Sequence, residues 1–110
     1  MKSIKSESET FIEYRNIDGL YHREDGPALE YKDGCFKVWY INGNTHRDGG
    51  PAKIWSNGDK EWFQHGKVHR EDGPALEYPG RFNQWWIKGK HIPVNSQEEF
   101  ERYLRLIIFQ

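Results

Sequence analysis

A ten-residue segment, His22-Arg23-Glu24-Asp25-Gly26-Pro27-Ala28-Leu29-Glu30-Tyr31, recurs unchanged at His69–Tyr78. Between the copies His46 opens the related run HRDGGPAKIW, and His91 offers a fourth, degenerate start. The starts lie 24, 23 and 22 residues apart. In a chain of 110 residues such a period means one small supersecondary unit stacked on copies of itself. The expectation is one domain.

The remainder of each unit repeats too. Tyr31 is followed by Lys-Asp-Gly, Trp55 by Ser-Asn-Gly and Tyr78 by Pro-Gly. Then come the aromatic runs 39–43, 62–66 and 85–89, ending in Gly43, Gly66 and Gly89. Asp-Gly and Asn-Gly between β-favouring runs signal hairpins, because glycine reaches positive φ at little cost. Gly43, Gly66 and Gly89 are expected there. Pro27, Pro51 and Pro74 each open a strand, where the missing N–H is tolerated. The predicted fold is all-β with a terminal helix. Three to four antiparallel hairpins of period 22–24 add to one meandering, twisted sheet, with units near 22–45, 46–68 and 69–91 inside a repeat region 10–92.

Gly58 to Trp62 is four residues, whereas Gly34 to Trp39 and Gly80 to Trp85 are five. If the extra residue is absorbed beside the turn, the three tryptophans keep one register. The expectation is then a single ladder pairing Tyr31 with Trp39, Trp55 with Trp62 and Tyr78 with Trp85, with Tyr40, Phe63 and Trp86 on the other face. Phe11, Ile12 and Tyr14 fit a first strand closing the sheet edge. Residues 1–9 are polar and expected to be flexible.

Past Pro93 the pattern changes. Ser96 with Glu99 forms a capping box, Glu98, Glu99 and Glu101 suit a first turn, and Arg102 and Arg105 suit later ones. Phe100, Tyr103, Leu104, Ile107 and Ile108 fall at helical spacing. An amphipathic helix over 95–109 should cap the array.

Composition excludes several function classes. Sixteen Lys+Arg against seventeen Asp+Glu leave a net charge of −1, with no global field for nucleic acid. A lone cysteine, Cys35, makes no internal disulfide and no thiolate zinc site. The start MKSIKSESET has no apolar signal-peptide core, and no apolar run is long enough to span a bilayer, so a cytoplasmic location is expected. Apolar residues make up only 35% of the chain, but 5 Trp, 6 Tyr and 6 Phe supply enough large rings for a thin folded core.

Each candidate motif has a structural reading. His22, His46 and His69, with His91, recur once per unit, and hairpins advance about 10 Å per unit. That spacing is too wide for a shared metal ion, so each imidazole should bond turn backbone or the neighbouring repeat. Arg23, Arg47 and Arg70 should lie across a Trp face from the adjacent strand, with clamping of a carboxylate or phosphate as the alternative. Asp beside Gly-Pro reads as an Asx turn. No P-loop, nucleophile elbow or dinucleotide fingerprint is present, and a residue repeated in every unit serves the repeat better than a single active site. An enzyme is not expected, and no cofactor or metal is implied.

The unit HRxDGPA…Y-x-x-G-x-K-x-W-Y-x-x-G resembles the MORN-type β-hairpin repeats and, more closely, the HREDGPA-repeat proteins of bacteriophages and giant viruses, including their short Gln-Glu-Glu-Phe helical ending. The resemblance covers residues 14–91 as repeats and reaches about 108 with the ending. It departs from MORN units in carrying His-Arg where those carry His-Gly after the second turn. The resemblance implies a scaffold or interaction module without catalysis. It further implies a viral protein that docks on a host protein, such as a defence or CRISPR effector, in the host cytoplasm, and inhibits or modulates it. Phe63, Arg81, Trp86, Tyr40, Trp62 and Trp85 are the candidate partner-binding residues, while the His-Arg turns and Gly43, Gly66 and Gly89 serve the repeat. Alternatives are a single-stranded nucleic-acid binder stacking bases on the ladder and a purely structural scaffold. No membrane partner is expected, and a dimer through the sheet edge or the helix is open.

Overall fold

The computed structural model describes residues 2–108. Among them the chain forms thirteen short strands and one helix: β1 (Ile4–Glu7), β2 (Phe11–Arg15), β3 (Leu29–Tyr31), β4 (Phe36–Val38), β5 (Tyr40–Ile41), β6 (Asn44–Thr45), β7 (Lys53–Trp55), β8 (Lys60–Glu61), β9 (Phe63–Gln64), β10 (Lys67–Val68), β11 (Leu76–Tyr78), β12 (Phe82–Ile87), β13 (Lys90–Ile92) and α1 (Gln97–Ile108). Nine strands build an open antiparallel sheet in the order β1-β2-β3-β4-β7-β8-β11-β12-β13. The pairs β5-β6 and β9-β10 form small hairpins beside it. The molecule measures 47 × 31 × 17 Å, as a one-layer array should.

Trp39 and Trp62 are where the chain leaves the large sheet for the small hairpins. The Trp39 N–H donates to Ala52 O of the next unit at 2.8 Å, while its carbonyl accepts from His46 N–H of its own hairpin at 3.1 Å. Trp62 divides its bonds the same way between Ala75 and His69, and Tyr14 between Ala28 and His22. Both small hairpins, and the equivalent β12–β13 hairpin at the end of the large sheet, turn on a two-residue loop with both residues at positive φ: Asn42-Gly43, His65-Gly66 and Lys88-Gly89. That is the mirror-image turn whose twist matches paired strands. The Gly43, Gly66 and Gly89 N–H groups then reach back to the preceding unit, donating to Tyr21, Thr45 and Val68 carbonyls. Hydrogen bonds thus join successive units along both the sheet and the small hairpins.

Burial is thin along the array and thicker at its end. Ala28, Ala52 and Ala75 are fully buried, so each Gly-Pro-Ala corner closes on a residue with no side chain to spare. Among the described residues the main apolar cluster joins Trp85, Ile92 and Phe100, with Ile87, Val94, Tyr103 and Leu104 packed around it. It is made by α1 against the last hairpin. Ser96 caps α1 by accepting from Glu99 N–H at 3.1 Å, and Glu99 Oε2 reaches back to Asn95 N–H. Ile107, placed by spacing on the buried stripe, is 44% exposed, because the hairpin beneath ends before the last helical turn. The side chain of Ile108, and residue 109 of the expected helix, lie outside the described residues.

Three further expectations are corrected. Residues 4–7 are not frayed: β1 pairs along its length with β2, so β2 is not the edge. Ser8 makes the turn, its Oγ accepting from the N–H groups of Thr10 and Phe11 at 3.1 Å. The polar, charged composition of β1 suits an exposed edge strand. Second, the fourth unit does not start at His91. Ile92 pairs with Trp85, as His69 bonds Trp62, so the equivalent of His69 is Ile92, 2% exposed under α1. Third, the tryptophans do share one register, but Tyr31, Trp55 and Tyr78 pair elsewhere. Tyr31 stands beside Phe36, and Tyr78 opposes Phe82, three residues before Trp39 and Trp85. An odd separation sends a strand's side chains to opposite faces.

Candidate functional site

The two faces of the sheet carry different chemistry. On one face Phe11, Tyr31, Phe36 and Trp55 run across four adjacent strands. Ring centroids are 6.1 Å apart for Phe11–Tyr31, 5.9 Å for Tyr31–Phe36 and 4.8 Å for the stacked Phe36–Trp55 pair. Opposite Trp55 the next strand supplies Asp59, whose carbonyl accepts from Trp55 N–H at 3.0 Å. Arg81 pairs with the Asp59 carboxylate and lies 5.0 Å over the Tyr78 ring. Tyr78 meets Phe82 edge-on at 4.9 Å, and Phe82 is 50% exposed. The ladder is therefore two aromatic blocks separated by an ion pair. The ladder rings are partly exposed. Burial, and behind it the neighbouring Glu61 carboxylate that accepts its hydroxyl proton, push the Tyr78 phenol up to about 12.

On the opposite face each Arg of the repeat is clamped between a ring and a glycine. Arg23 lies 4.0 Å over Tyr14, Arg47 4.0 Å over Trp39 and Arg70 3.7 Å over Trp62. Below each guanidinium is the glycine of Gly-Pro-Ala: a Cβ on Gly26, Gly50 or Gly73 would meet the Arg Cζ at 2.9, 2.9 or 2.8 Å. One guanidinium N–H of each Arg also donates to the following proline carbonyl, Pro27, Pro51 or Pro74. The Asp of the motif does not form an Asx turn. Asp25 and Asp72 instead accept from Arg23 and Arg70 Nε at 3.0 and 2.8 Å. Arg70 holds the Asp72 carboxyl below the usual carboxylate range.

The histidines act within the repeat. His22, His46 and His69 Nδ1 accept from the N–H groups of Asn42, His65 and Lys88 at 3.0, 3.0 and 2.9 Å. Each therefore secures the first residue of the small-hairpin turn that follows it. Among the described residues no three His, Cys, Asp or Glu side chains gather where they could hold a metal ion. Cys35 sits in a turn beside Asp33, whose carboxylate pushes its thiol up, away from a reactive thiolate.

The sequence-derived binding residues do not form one surface. Trp85 is 5% exposed beneath α1 and donates to Gln97 Oε1 at 2.9 Å, so it belongs to the core. Trp62 is covered by Arg70 and donates to Glu77 at 2.8 Å. Tyr40 stacks on Tyr21 at 5.0 Å, Phe63 lies under the Lys53 ammonium at 5.1 Å, and Trp86 stands 5.2 Å from His91. Arg81 stands over Tyr78 on the ladder face. Strand alternation puts Trp86, four residues after Phe82, and Phe63, beneath Lys53, on that side too, while Trp62 and Trp85 face the other way. Tyr31, Trp55 and Tyr78 belong to the ladder as expected, whereas Phe11, Phe36 and Phe82 were not expected in it. Phe36 and Phe82 were discernible only as residues following the Gly34 and Gly80 turns.

Between successive Arg turns the same face is indented by clefts. One, of about 640 Å³, lies between the second and third turns on the Arg face and is lined by Arg47, Arg70, His69, Lys67, Lys88 and Gln64, among others. Compared with protein-family models, curated proteins and solved structures, the chain matches none.

Proposed function

We propose that the chain is a non-enzymatic protein-interaction module that binds its partner through the ladder face. The observation that carries this reading is the pair of aromatic blocks, Phe11-Tyr31-Phe36-Trp55 and Tyr78-Phe82, with no helix laid over them. Tyr, Trp and Arg dominate interface hot spots, and contiguous partly exposed rings flanked by polar groups mark such surfaces. A protein suits the face better than a nucleic-acid strand. Two of the cations beside the ladder are already matched, Lys32 to Glu7 and Arg81 to Asp59, and Lys53 lies over Phe63, which makes a poor track for phosphates. The resemblance to viral repeat proteins makes a host protein the partner class to test first, with inhibition or modulation as the effect.

The test compares capture by the wild-type chain with capture by Trp55→Ser and Phe36→Ser, each first checked for native circular dichroism. Loss of the captured protein by both folded variants, with little change between about 50 and 200 mM salt, supports the reading. Undiminished capture by both folded variants overturns it. Steep loss of binding with salt, and recovery of nucleic acid, would establish the nucleic-acid alternative instead.

A further inference from the structure

The three Arg turns share the ring–guanidinium–glycine clamp but differ at two positions: Asp48 stands where the others have Glu24 and Glu71, and the next residue loses its carboxylate and takes positive φ. Where the first and third have Asp25 and Asp72, the second has Gly49. Arg23 and Arg70 each give their Nε–H to that Asp. Among the described residues Arg47 has no carboxylate partner: it lies on Trp39, gives one N–H to Pro51 O at 3.0 Å, and leaves its Nε edge unmatched. Burial alone acts on its ionisation, pulling it below the ordinary guanidinium value with no anion to offset it. Partly buried guanidinium groups are ordinarily paired, because their N–H donors are costly to leave unmade.

The space for an anion is open. Gly49 takes φ +77°, and no atom stands within 4 Å of where its Cβ would be. Arg47 and Gly49 both line the 640 Å³ cleft, a volume within the range of ligand sites. The carboxylates of that cleft are engaged already, Asp72 by Arg70 at 2.8 Å and Glu71 by His69 Nε2 at 3.4 Å. Lys67 and Lys88 also line it, and neither has an ion-pair partner among the described residues. The Lys67 stem runs along the Lys88-Gly89 turn, which brings the two side chains to one wall. Arg47 also borders the neighbouring cleft over Trp39, where Glu24, Asp25 and Asp48 contribute acidic groups; of the two, Gly49, Lys67 and Lys88 line only the 640 Å³ cleft.

We infer that the cleft between the second and third Arg turns is an oxyanion site, taking a carboxylate or phosphate group on the free Nε edge of Arg47 with Lys67 and Lys88 closing from the opposite wall. The missing Asp of the second turn is supplied by the ligand. This site lies on the face opposite the aromatic ladder and stands or falls independently of the partner surface assigned there.

The experiment is a titration of the full chain by two-dimensional NMR, with inorganic phosphate in one arm and a hexaglutamate peptide in the other. The reporters are the Arg47 Nε–H and the Trp39 and Trp62 indole N–H signals. Four proteins are compared: wild type, Gly49→Asp, Arg47→Gln and Arg105→Gln. Gly49→Asp adds a carboxylate beside Arg47, at some cost in backbone strain because Gly49 has φ +77°, and Arg105→Gln makes the same change in net charge at the exposed helix end. Saturable shifts are expected with at least one probe, weakened about tenfold or more in Gly49→Asp and Arg47→Gln and within about twofold of wild type in Arg105→Gln. Tighter binding of phosphate points to a free or small phosphorylated ligand, tighter binding of the peptide to an acidic protein segment. Absence of saturable shifts with both probes overturns the site, as does wild-type binding by folded Gly49→Asp. Arg47→Gln removes a packed side chain. If it fails to fold, Gly49→Asp, which keeps Arg47 on Trp39, decides.

Discussion

Phe100 of α1 stands over Trp85 with ring centroids 6.3 Å apart, in the place where Arg47 and Arg70 cover Trp39 and Trp62. The last unit has Pro93 where the Arg would be and Ile92 where the His would be. The terminal helix thus supplies from outside the repeat the covering group that each earlier unit makes for itself. Array ends need such atypical caps, since no further unit buries the exposed ring.

Replacing Phe100 by Ala should therefore destabilise the protein by about 3–5 kcal/mol, the usual range for a fully buried ring. Truncation after Val94 should go further, leaving Trp85 and Ile92 uncovered and broadening or abolishing cooperative unfolding. Urea denaturation followed by tryptophan fluorescence measures both. A truncated chain that unfolds with the wild-type midpoint would show that α1 is not a cap.

Gly66 has φ +80°, and the Asn44 side chain lies 3.4 Å from where its Cβ would stand. Gly66→Val should cost at least about 1 kcal/mol, because β-branched residues resist the left-handed region. Gly66→Asn should cost less, since asparagine visits that region more readily. Equal midpoints for the two variants would contradict the turn geometry.

His69→Ala should leave the solvent-accessible Lys88 N–H to water and cost about 0.5–1.5 kcal/mol. Amide hydrogen exchange at Lys88 and Gly89 should accelerate, while that of the β3–β4 hairpin stays near wild type. Unchanged exchange at Lys88 would mean that its bond to Nδ1 contributes nothing.

Tyr78 gives a pH dependence with a definite sign. Its phenol is raised from 10.0 to about 12, so the folded state favours the neutral form. Its contribution is full below pH 10 and is lost as the pH rises through 10 towards about 12. The loss should be of order 1 kcal/mol after solvent screening. Tyr78→Phe removes the titrating group, so the stability gap between wild type and variant should narrow from pH 8 to pH 11.5. A gap constant over that interval refutes the shift.

Much of this protein follows from local sequence. The turns, the hairpins and the positive φ of Gly43, Gly66 and Gly89 are decided within a few residues by Gly, Asn and Asp chemistry, and repetition multiplies each signal. The stacking of Arg on aromatic rings and the bonding of His to the following turn were legible for the same reason. The assignment of faces was not. It depends on whether the ring beside each turn and the Trp beyond it are an even or odd number of residues apart once the turn has absorbed its extra residue. Only the paired backbone settles that count, and it put Phe36, Asp59 and Phe82 in the ladder where Trp39, Trp62 and Trp85 were expected. The role of Phe100 and the freedom of Arg47 are tertiary facts as well. The change from Asp to Gly49 is plain in the sequence, but its meaning required the Asp25–Arg23 and Asp72–Arg70 bonds to show what the second turn lacks. Likewise helical spacing placed Ile107 on an apolar stripe, and the length of the hairpin beneath α1 left it in water.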